Sequence, residues 1–302
     1  HFLFRGKRTL RQKLRRNSLR RMRLVLLTSL TLAAFAANSL LNRAGVAWGA
    51  DPFSFGVVRL IAGALTLFVI AKARALPLTF IHSRRALGAL SLLLYIFGFS
   101  AAYLGLDAGM GALILFGTVQ VTMFAAAMLA REPIPVARLI GALIATLGLV
   151  WLLWPGATAR IDLWASMVMA CAGVGWGLYS LAGQGAKSPL AETAANFLIA
   201  ALASVVILPF VGLPRDGALI LAVISGALTS GLGYALWYLV LPQLGATRAA
   251  VAQTTVPVLV VIGGAILLGE IPDAAALLPG SVVLAGVLIS LMPQRRIGSN
   301  RS

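Results

Sequence analysis

The sequence is poor in the side chains that build catalytic and metal centres. Among 302 residues there are only eight acidic residues, two histidines and a single cysteine, Cys171. One cysteine excludes a disulfide framework and a cysteine-based zinc site, and His1 and His82 are too few and too peripheral to build a metal centre. The nucleotide-binding pattern G-x-x-x-x-G-K-[ST] is also absent, so nothing indicates ATP hydrolysis. We therefore expect no enzymatic activity, no cofactor and no metal.

Charged residues are scarce, and long apolar stretches take their place. Only 11% of the residues are charged and 60% are hydrophobic, whereas soluble domains carry about 25% charged residues. Ten apolar stretches of about 18–24 residues follow one another, and about 20 residues cross a ~30 Å hydrocarbon layer as a helix. Their approximate bounds are Leu24–Leu41, Phe53–Ala71, Leu87–Leu106, Ala108–Leu129, Val136–Leu153, Leu163–Ala182, Leu190–Val211, Ala218–Leu241, Ala246–Leu268 and Ala274–Leu291. The pattern predicts an all-α integral membrane protein with ten transmembrane helices, embedded in the lipid bilayer.

The basic residues are unevenly distributed along the chain. Ten of the 25 lysines and arginines precede Leu24, so the net charge of +17 is local to a tail and does not indicate a nucleic-acid partner. If the N-terminus is cytoplasmic, the inner loops and tails hold 21 basic residues and the outer loops hold three, Arg43, Arg160 and Arg215. Cytoplasmic segments carry such an excess. We therefore predict that both termini lie in the cytoplasm.

The second five apolar stretches repeat the first five. A shift of 141 residues places Phe35 on Trp176, and a shift of 138 places Gly148 on Gly286. Because five is an odd number, the second half must insert in the opposite orientation, which predicts a 5+5 inverted repeat with the ligand near the middle of the membrane. The predicted units are a basic cytoplasmic tail at 1–23, a first repeat at 24–155, a second repeat at 156–293 and a cytoplasmic C-terminal tail at 294–302. Met22 would be a more ordinary start for a protein with many spans, and the basic segment before it is either an upstream translation start, an added sequence or a lipid-contacting tail, so no function is assigned to it.

Three short motifs resemble those of one transporter family. Phe53-Ser-Phe-Gly-Val-Val-Arg59 opens the second stretch, Leu129-Ala-Arg-Glu132 ends the fourth and Leu267-Leu-Gly-Glu270-Ile ends the ninth. In this order they resemble the drug/metabolite transporter superfamily, specifically the ten-helix EamA-type exporters, and are most similar to bacterial aromatic amino acid exporters. The resemblance implies an exporter in the bacterial inner membrane that works by alternating access around a central cavity. It implies that the substrates are amino acids, aromatic and other apolar ones, and we expect the protein to function as a monomer.

The candidate substrate-binding residues are polar and aromatic side chains deep in the predicted helices. Arg59 is the only full charge clearly inside the membrane, where a charge faces a cavity or a partner; it is either a gate or carboxylate contact, or a structural anchor. The aromatic rings either stack on a flat side chain and bind an ammonium group, or pack as ordinary core. Asn38 and Gln253 either hydrogen-bond the backbone of an amino acid or join helices. The complete set is Phe35, Asn38, Arg59, Tyr95, Phe99, Tyr103, Trp176, Tyr179, Trp237, Tyr238 and Gln253.

The sequence also bears on energy coupling. Glu132 and Glu270 fall at the ends of the fourth and ninth stretches, where we expect water to solvate them, and buried acids are the usual proton or sodium relays. Without a relay, facilitated export down the substrate gradient is the favoured mechanism. The alternative function is export of drug-like cations or of another small metabolite, with or without coupling to protons. An acidic residue in a cavity would favour cations.

Overall fold

The computed structural model describes residues 2–80, 83–131, 136–153, 162–183, 188–253 and 255–290, and these contain helices but no strand. The helices are α1 (Phe2–Ala47), α2 (Pro52–Ala73), α3 (Ser83–Ala102), α4 (Ala108–Leu129), α5 (Val136–Leu153), α6 (Leu163–Gly183), α7 (Pro189–Ser204), α8 (Leu208–Val211), α9 (Asp216–Ile224), α10 (Gly233–Gln253), α11 (Thr255–Gly263) and α12 (Ala274–Ser290). A 3₁₀ turn, Val205–Ile207, joins α7 to α8. Two π-helical segments, Ser225–Leu232 and Gly264–Leu268, follow α9 and α11.

Seven helical segments among the described residues are long and apolar enough to cross a membrane. They are Ser18–Ala47, Pro52–Ala73, Arg85–Ala102, Ala108–Leu129, Leu163–Ala182, Leu190–Val211 and Asp216–Trp237. Three further apolar helices are shorter, namely Leu139–Leu152, Thr255–Leu268 and Ala274–Ile289. The predicted class, an all-helical membrane protein, is confirmed, whereas the number of ten spans stays a prediction.

Two helix boundaries differ from those that the sequence predicts. The basic N-terminal segment and the first span form one helix, because α1 is continuous over 46 residues; the arginines, lysines and leucines that fill this segment are good helix formers. The boundary predicted at residues 241–246 is also helical, because α10 continues to Gln253. This stretch is rich in alanine, which has the highest helix propensity of all residues.

Glycine residues allow α6 to approach both of its neighbours closely. A Cβ atom on Gly175 would lie 2.8 Å from the backbone oxygen of Ser91 in α3. On the other side of α6, a Cβ atom on Gly177 would lie 2.8 Å from the side chain of Thr122 in α4. Small residues are favoured at such contacts because transmembrane helices associate through close packing. Any larger residue at either glycine would push α6 away from α3 or α4.

Helices α5 and α12 pack on each other through two close backbone approaches. A Cβ atom on Gly148 would lie 2.8 Å from the backbone nitrogen of Val283, and one on Gly286 would collide with the backbone nitrogen of Ala145. Elsewhere α3 packs on α6, α1 packs on α10, α2 packs on α7 and α4 packs on α11. The large, fully buried side chains of Arg59, Phe99 and Phe197 lie within the bundle.

Candidate functional site

A fully buried arginine lies in α2, with a relative exposure of 0% for Arg59. Its Nε donates a hydrogen bond to Ser230 Oγ at 2.9 Å, and its Nη2 donates to the Tyr95 hydroxyl at 3.1 Å. The guanidinium carbon lies 5.2 Å from the centre of the Tyr95 ring and 5.3 Å from that of Phe99. Within the described part of the chain, Nη1 has no hydrogen-bond partner and no carboxylate lies within ion-pair distance of the guanidinium group.

The positive charge of Arg59 is therefore not neutralised by any of the contacts described. Burying an ion costs several kcal/mol even after the protein relaxes. Hydrogen bonds to a charged group contribute about 1.5–3 kcal/mol each and a desolvated cation–π contact about 2 kcal/mol, so the neighbours offset part of this cost. Serine and tyrosine hydroxyls are neutral, however, and one N–H donor group of the guanidinium remains available. The site is suited to a carboxylate, which accepts two parallel hydrogen bonds from an arginine.

Three of the hydroxyl groups that face Arg59 and Asn38 come from the π-helical segment Ser225–Leu232. Its Ser225 and Thr229 hydroxyls donate hydrogen bonds to Asn38 Oδ1 at 2.8 and 2.9 Å, and the Asn38 amide lies 3.5 Å from the Tyr95 hydroxyl. Isolated π-helical turns occur frequently at functional sites. The segment thus forms hydrogen bonds with α1 and α2, and Tyr95 of α3 completes the set of polar contacts around the buried arginine.

Gly226 permits the close approach of this segment to α2. A Cβ atom at this position would collide with the backbone oxygen of Arg59 and lie 2.8 Å from Ala62 Cβ. We expect Gly226→Ala to destabilise the protein by about 1–3 kcal/mol, as overpacking does, measured by thermal unfolding in detergent. Gly233→Ala is the matched control, because its Cβ atom would lie 3.2 Å from Ala34 Cβ. Equal unfolding temperatures for the two variants would contradict the close approach.

Aromatic rings form one connected cluster beside the arginine. The ring of Trp176 lies 5.0 Å from that of Tyr95, 4.9 Å from Tyr234, 5.7 Å from Tyr179 and 6.2 Å from Phe35. Further ring contacts join Trp237 to Phe35 at 5.6 Å, Phe99 to Tyr95 at 5.4 Å, Tyr103 to Phe99 at 4.9 Å and Phe197 to Tyr234 at 5.6 Å. These distances fall in the range of favourable aromatic pairs. These nine side chains form the aromatic cluster.

The structure brings together most of the residues that the sequence predicts for the site. Phe35, Asn38, Arg59, Tyr95, Phe99, Tyr103, Trp176, Tyr179 and Trp237 lie in the cluster or contact it. Gln253 lies elsewhere, beside a small gap between α4, α11 and α12 that Gln120 also lines. The side chain of Tyr238 lies outside the described residues. A substrate-binding role for any of these residues stays a prediction.

Sequence reasoning missed five residues that lie in or around the site, namely Phe197, Ser225, Thr229, Ser230 and Tyr234. A signal for three of them was present, because the run from Ser225 to Gly231 places three hydroxyls and two glycines inside an apolar stretch. Serine and threonine commonly join membrane helices, which makes such a run easy to dismiss. Its π-helical geometry, which brings the Ser230 hydroxyl to Arg59, cannot be read from composition.

A group of polar contacts joins the end of α1 to the start of α4. Arg43 Nε donates a hydrogen bond to Glu270 Oε1 at 2.5 Å, and Arg43 Nη1 donates to the backbone oxygen of Tyr103 at 2.8 Å. Arg43 also lies 3.6 Å from Asp107, and Glu270 Oε2 accepts a hydrogen bond from the backbone nitrogen of Ala108 at 2.7 Å. These five residues are called the Arg43–Glu270 clasp. Because Tyr103 belongs to the aromatic cluster, the clasp adjoins the cluster through the backbone of Tyr103.

The environment of Glu270 differs from the sequence expectation. Only 14% of its side chain is exposed, so the expectation that water solvates it is wrong. Its carboxylate instead caps the first turn of α4, where the positive end of the helix dipole favours a negative charge, and neutralises Arg43. Glu132, the other glutamate predicted at the end of a span, lies outside the described residues.

A second ion pair lies at the opposite end of α3. Arg85 Nε donates a hydrogen bond to the backbone oxygen of Thr79 at 2.9 Å, and Arg85 Nη1 lies 3.6 Å from Glu192 Oε2. Glu192 belongs to the first turn of α7, so this pair joins α3 to α7. The buried arginine and the aromatic cluster therefore lie between two ion-paired ends of the bundle.

Comparison with known proteins places the fold and the family. The model of the EamA-like transporter family matches residues 163–292, which fall within the predicted second repeat. The uncharacterized protein PA1977 of Pseudomonas aeruginosa is 47% identical over 277 residues, covering 90% of this chain and 96% of that protein. A protein of known crystal structure, 17% identical, superposes with a TM-score of 0.64 and covers 89% of this chain and 97% of its own. The latter likeness shows a shared fold.

Proposed function

The chain belongs to the EamA-like transporter family, and we propose that it exports aromatic and other apolar amino acids by alternating access, without ATP hydrolysis. The family consists of membrane transporters of small molecules and not of enzymes. The finer proposal, amino acids as substrates, rests on the chemistry of the buried site.

The observation that carries the proposal is the uncompensated charge of Arg59 next to the aromatic cluster. A substrate carboxylate would neutralise the guanidinium and take up the unused Nη1 donor. The rings around Trp176 supply flat apolar surface for an aromatic side chain, and their faces attract an ammonium group. An α-amino acid carries these three groups on neighbouring atoms. A cation alone would be repelled by Arg59.

We propose that the architecture is a 5+5 inverted repeat with the units 1–23, 24–155, 156–293 and 294–302. The α5–α12 interface supports it, because a shift of 138 residues converts Gly148 into Gly286 and Ala145 into Val283. The contacts Gly148–Val283 and Gly286–Ala145 thus exchange, as contacts across a twofold axis do. We further propose that the protein is a monomer in the bacterial inner membrane with both termini in the cytoplasm. The count of 21 basic residues in the inner segments against three in the outer loops supports this orientation.

The proposal is tested by counterflow in proteoliposomes that contain only this protein. Vesicles loaded with unlabelled phenylalanine should accumulate external labelled phenylalanine, and a collapsed proton gradient should leave the exchange unchanged. Phenylalaninamide has the same ring and ammonium group but no carboxylate, so we expect it to compete poorly. Competition by the amide as strong as that by phenylalanine would contradict a role for Arg59 in binding the carboxylate.

Replacing Trp176 by leucine should change the substrate preference. The variant keeps apolar volume but loses an aromatic pair worth about 0.5–1.5 kcal/mol, so we expect counterflow of phenylalanine to fall about threefold to tenfold relative to alanine. Trp164→Leu is the control, because Trp164 lies in the same helix, α6, and is 74% exposed. An equal loss for phenylalanine and alanine would indicate that Trp176 only packs.

A further inference from the structure

The structure contains a cavity of about 470 Å³ outside the aromatic cluster. Its walls are the start of α4, α11, the segment 270–273 and α12, and none of the cluster residues lines it. The size falls in the range of about 300–1,000 Å³ that is typical of small-molecule sites. Most of its wall is apolar, contributed by side chains such as Met110, Leu113, Val258, Val261 and Leu277.

Three carboxylates lie at one end of this cavity, those of Asp107, Glu270 and Asp273, and no basic residue is among its described lining. Arg43 neutralises Glu270 at 2.5 Å and lies 3.6 Å from Asp107. Asp273 accepts a hydrogen bond from the backbone nitrogen of Ala275 at 3.0 Å and has no basic partner within ion-pair distance among the described residues. Three negative charges against one positive charge leave this end of the cavity with a net charge of −2.

We propose that the cavity is a second ligand site, which binds an amphipathic organic cation. The apolar groups of this cation lie between α4, α11 and α12, and the positive charge of the cation lies beside Asp107 and Asp273. The negative charge at the acidic end of the cavity decides between possible ligands. It repels an anionic head group, and a purely apolar chain has no group that interacts with it. The cavity thereby differs from the Arg59 site, whose uncompensated charge has the opposite sign, so the two sites select different ligands.

The test uses two probes of nearly the same shape and opposite charge, tetraphenylphosphonium and tetraphenylborate. Binding of each labelled probe to the purified protein is measured by scintillation proximity, with protein-free micelles as the blank. We expect tetraphenylphosphonium to bind and tetraphenylborate not to bind. Equal binding of both probes would identify a groove for apolar chains, such as those of lipids, and would overturn the proposal.

Two carboxylate variants locate the charge recognition. We expect Asp273→Asn to weaken tetraphenylphosphonium binding about threefold, and Asp107→Asn with Asp273→Asn about tenfold, since each change removes a charge that is partly exposed to solvent. Asparagine caps helices as well as aspartate does. Asp51→Asn is the matched control, because Asp51 caps α2 through two backbone nitrogens at 2.9 Å and does not line the cavity. Equal affinities for all three variants would overturn the proposal.

A volume variant locates the apolar part of the site. Ser281 lines the cavity from α12, and we expect Ser281→Trp to fill the space and abolish tetraphenylphosphonium binding. Leu288→Trp is its control, since Leu288 lies in the same helix, is 47% exposed and does not line the cavity. Arg59→Gln should leave tetraphenylphosphonium binding unchanged. Tighter binding in Arg59→Gln, together with binding retained in Ser281→Trp, would place the cation in the aromatic cluster and refute the second site, because Arg59 repels a cation there.

Discussion

Replacing Arg59 by glutamine is expected to preserve the fold and to weaken phenylalanine binding by about 100-fold or more. Two charge-assisted hydrogen bonds to a carboxylate contribute about 1.5–3 kcal/mol each, and every 1.4 kcal/mol changes the affinity about tenfold. The unfolding temperature of the unliganded variant should stay the same or rise, because a buried charge without a carboxylate partner no longer has to be desolvated. Tryptophan fluorescence reports binding and thermal unfolding reports stability.

Arg85→Gln is the matched control for this experiment. Arg85 is also buried, but it donates to the Thr79 backbone and lies within ion-pair distance of Glu192. Its replacement should lower the unfolding temperature and leave the affinity of the folded protein for phenylalanine unchanged. If Arg59→Gln behaved in the same way, Arg59 would be a structural anchor and the proposed function would lose its main support.

The substrate itself supplies a second control for Arg59. In the wild-type protein, phenylalanine should bind far more tightly than phenylalaninamide. In Arg59→Gln this difference should almost vanish, because the group that distinguishes a carboxylate from an amide has been removed. A difference that persisted in the variant would show that the carboxylate binds elsewhere. Arg59→Lys keeps the positive charge but lacks the planar guanidinium group, so it should recover part of the affinity for phenylalanine.

The helical class could be predicted from the sequence because it depends on length and hydropathy alone. A stretch such as Phe53–Ala71 is apolar throughout, and in a membrane only helices and closed barrels satisfy every backbone group. Helix ends were harder to predict. The α10 helix continues past residue 241 to Gln253, because local helix propensity, which hydropathy does not measure, decides where an apolar helix ends.

Some residues of the site could be predicted from the sequence and others could not, and the physical reason differs between residues. Arg59 stood out because a charge in an apolar stretch is rare, and the aromatic residues stood out by their spacing. Ser230 did not, because a hydroxyl has no preferred partner in a sequence, and only the π-helical segment brings it to Arg59. The partners of Glu270 were equally hidden, since Arg43 is 227 residues away along the chain.

Breaking the Arg43–Glu270 clasp is expected to expose the aromatic cluster to water. The pair is partly buried, with side chains 20% and 14% exposed, so its loss should favour an open form, in which the start of α4 separates from the end of α1, by about 1–3 kcal/mol. A shift of 1.4 kcal/mol raises the open population about tenfold. Ser100 reports it, because it is fully buried and accepts a hydrogen bond from Asn42 at 3.0 Å.

The measurement is the rate at which a water-soluble maleimide modifies Ser100→Cys in a protein whose natural cysteine carries the change Cys171→Ala. We expect Glu270→Gln to raise this rate about tenfold or more. Glu192→Gln, which breaks the ion pair at the opposite end of α3, is the matched control and should not raise it. A lower unfolding temperature with an unchanged rate would make the clasp a fixed anchor.

Exchanging the two charges of the clasp separates the ion pair from the helix cap. In Arg43→Glu with Glu270→Arg the pair can form again, whereas an arginine at position 270 cannot accept the hydrogen bond that Ala108 donates. The double variant should therefore restore slow modification of Ser100→Cys only in part. Modification should be fastest in Arg43→Glu alone, because the new carboxylate then lies beside those of Asp107 and Glu270 and the three negative charges repel one another. Full restoration of the slow modification rate would mean that the cap on Ala108 contributes nothing. No restoration would mean that the cap alone keeps the start of α4 in place. We expect an intermediate rate because the Glu270 carboxylate has two roles: it neutralises Arg43 of α1 and it caps the first turn of α4.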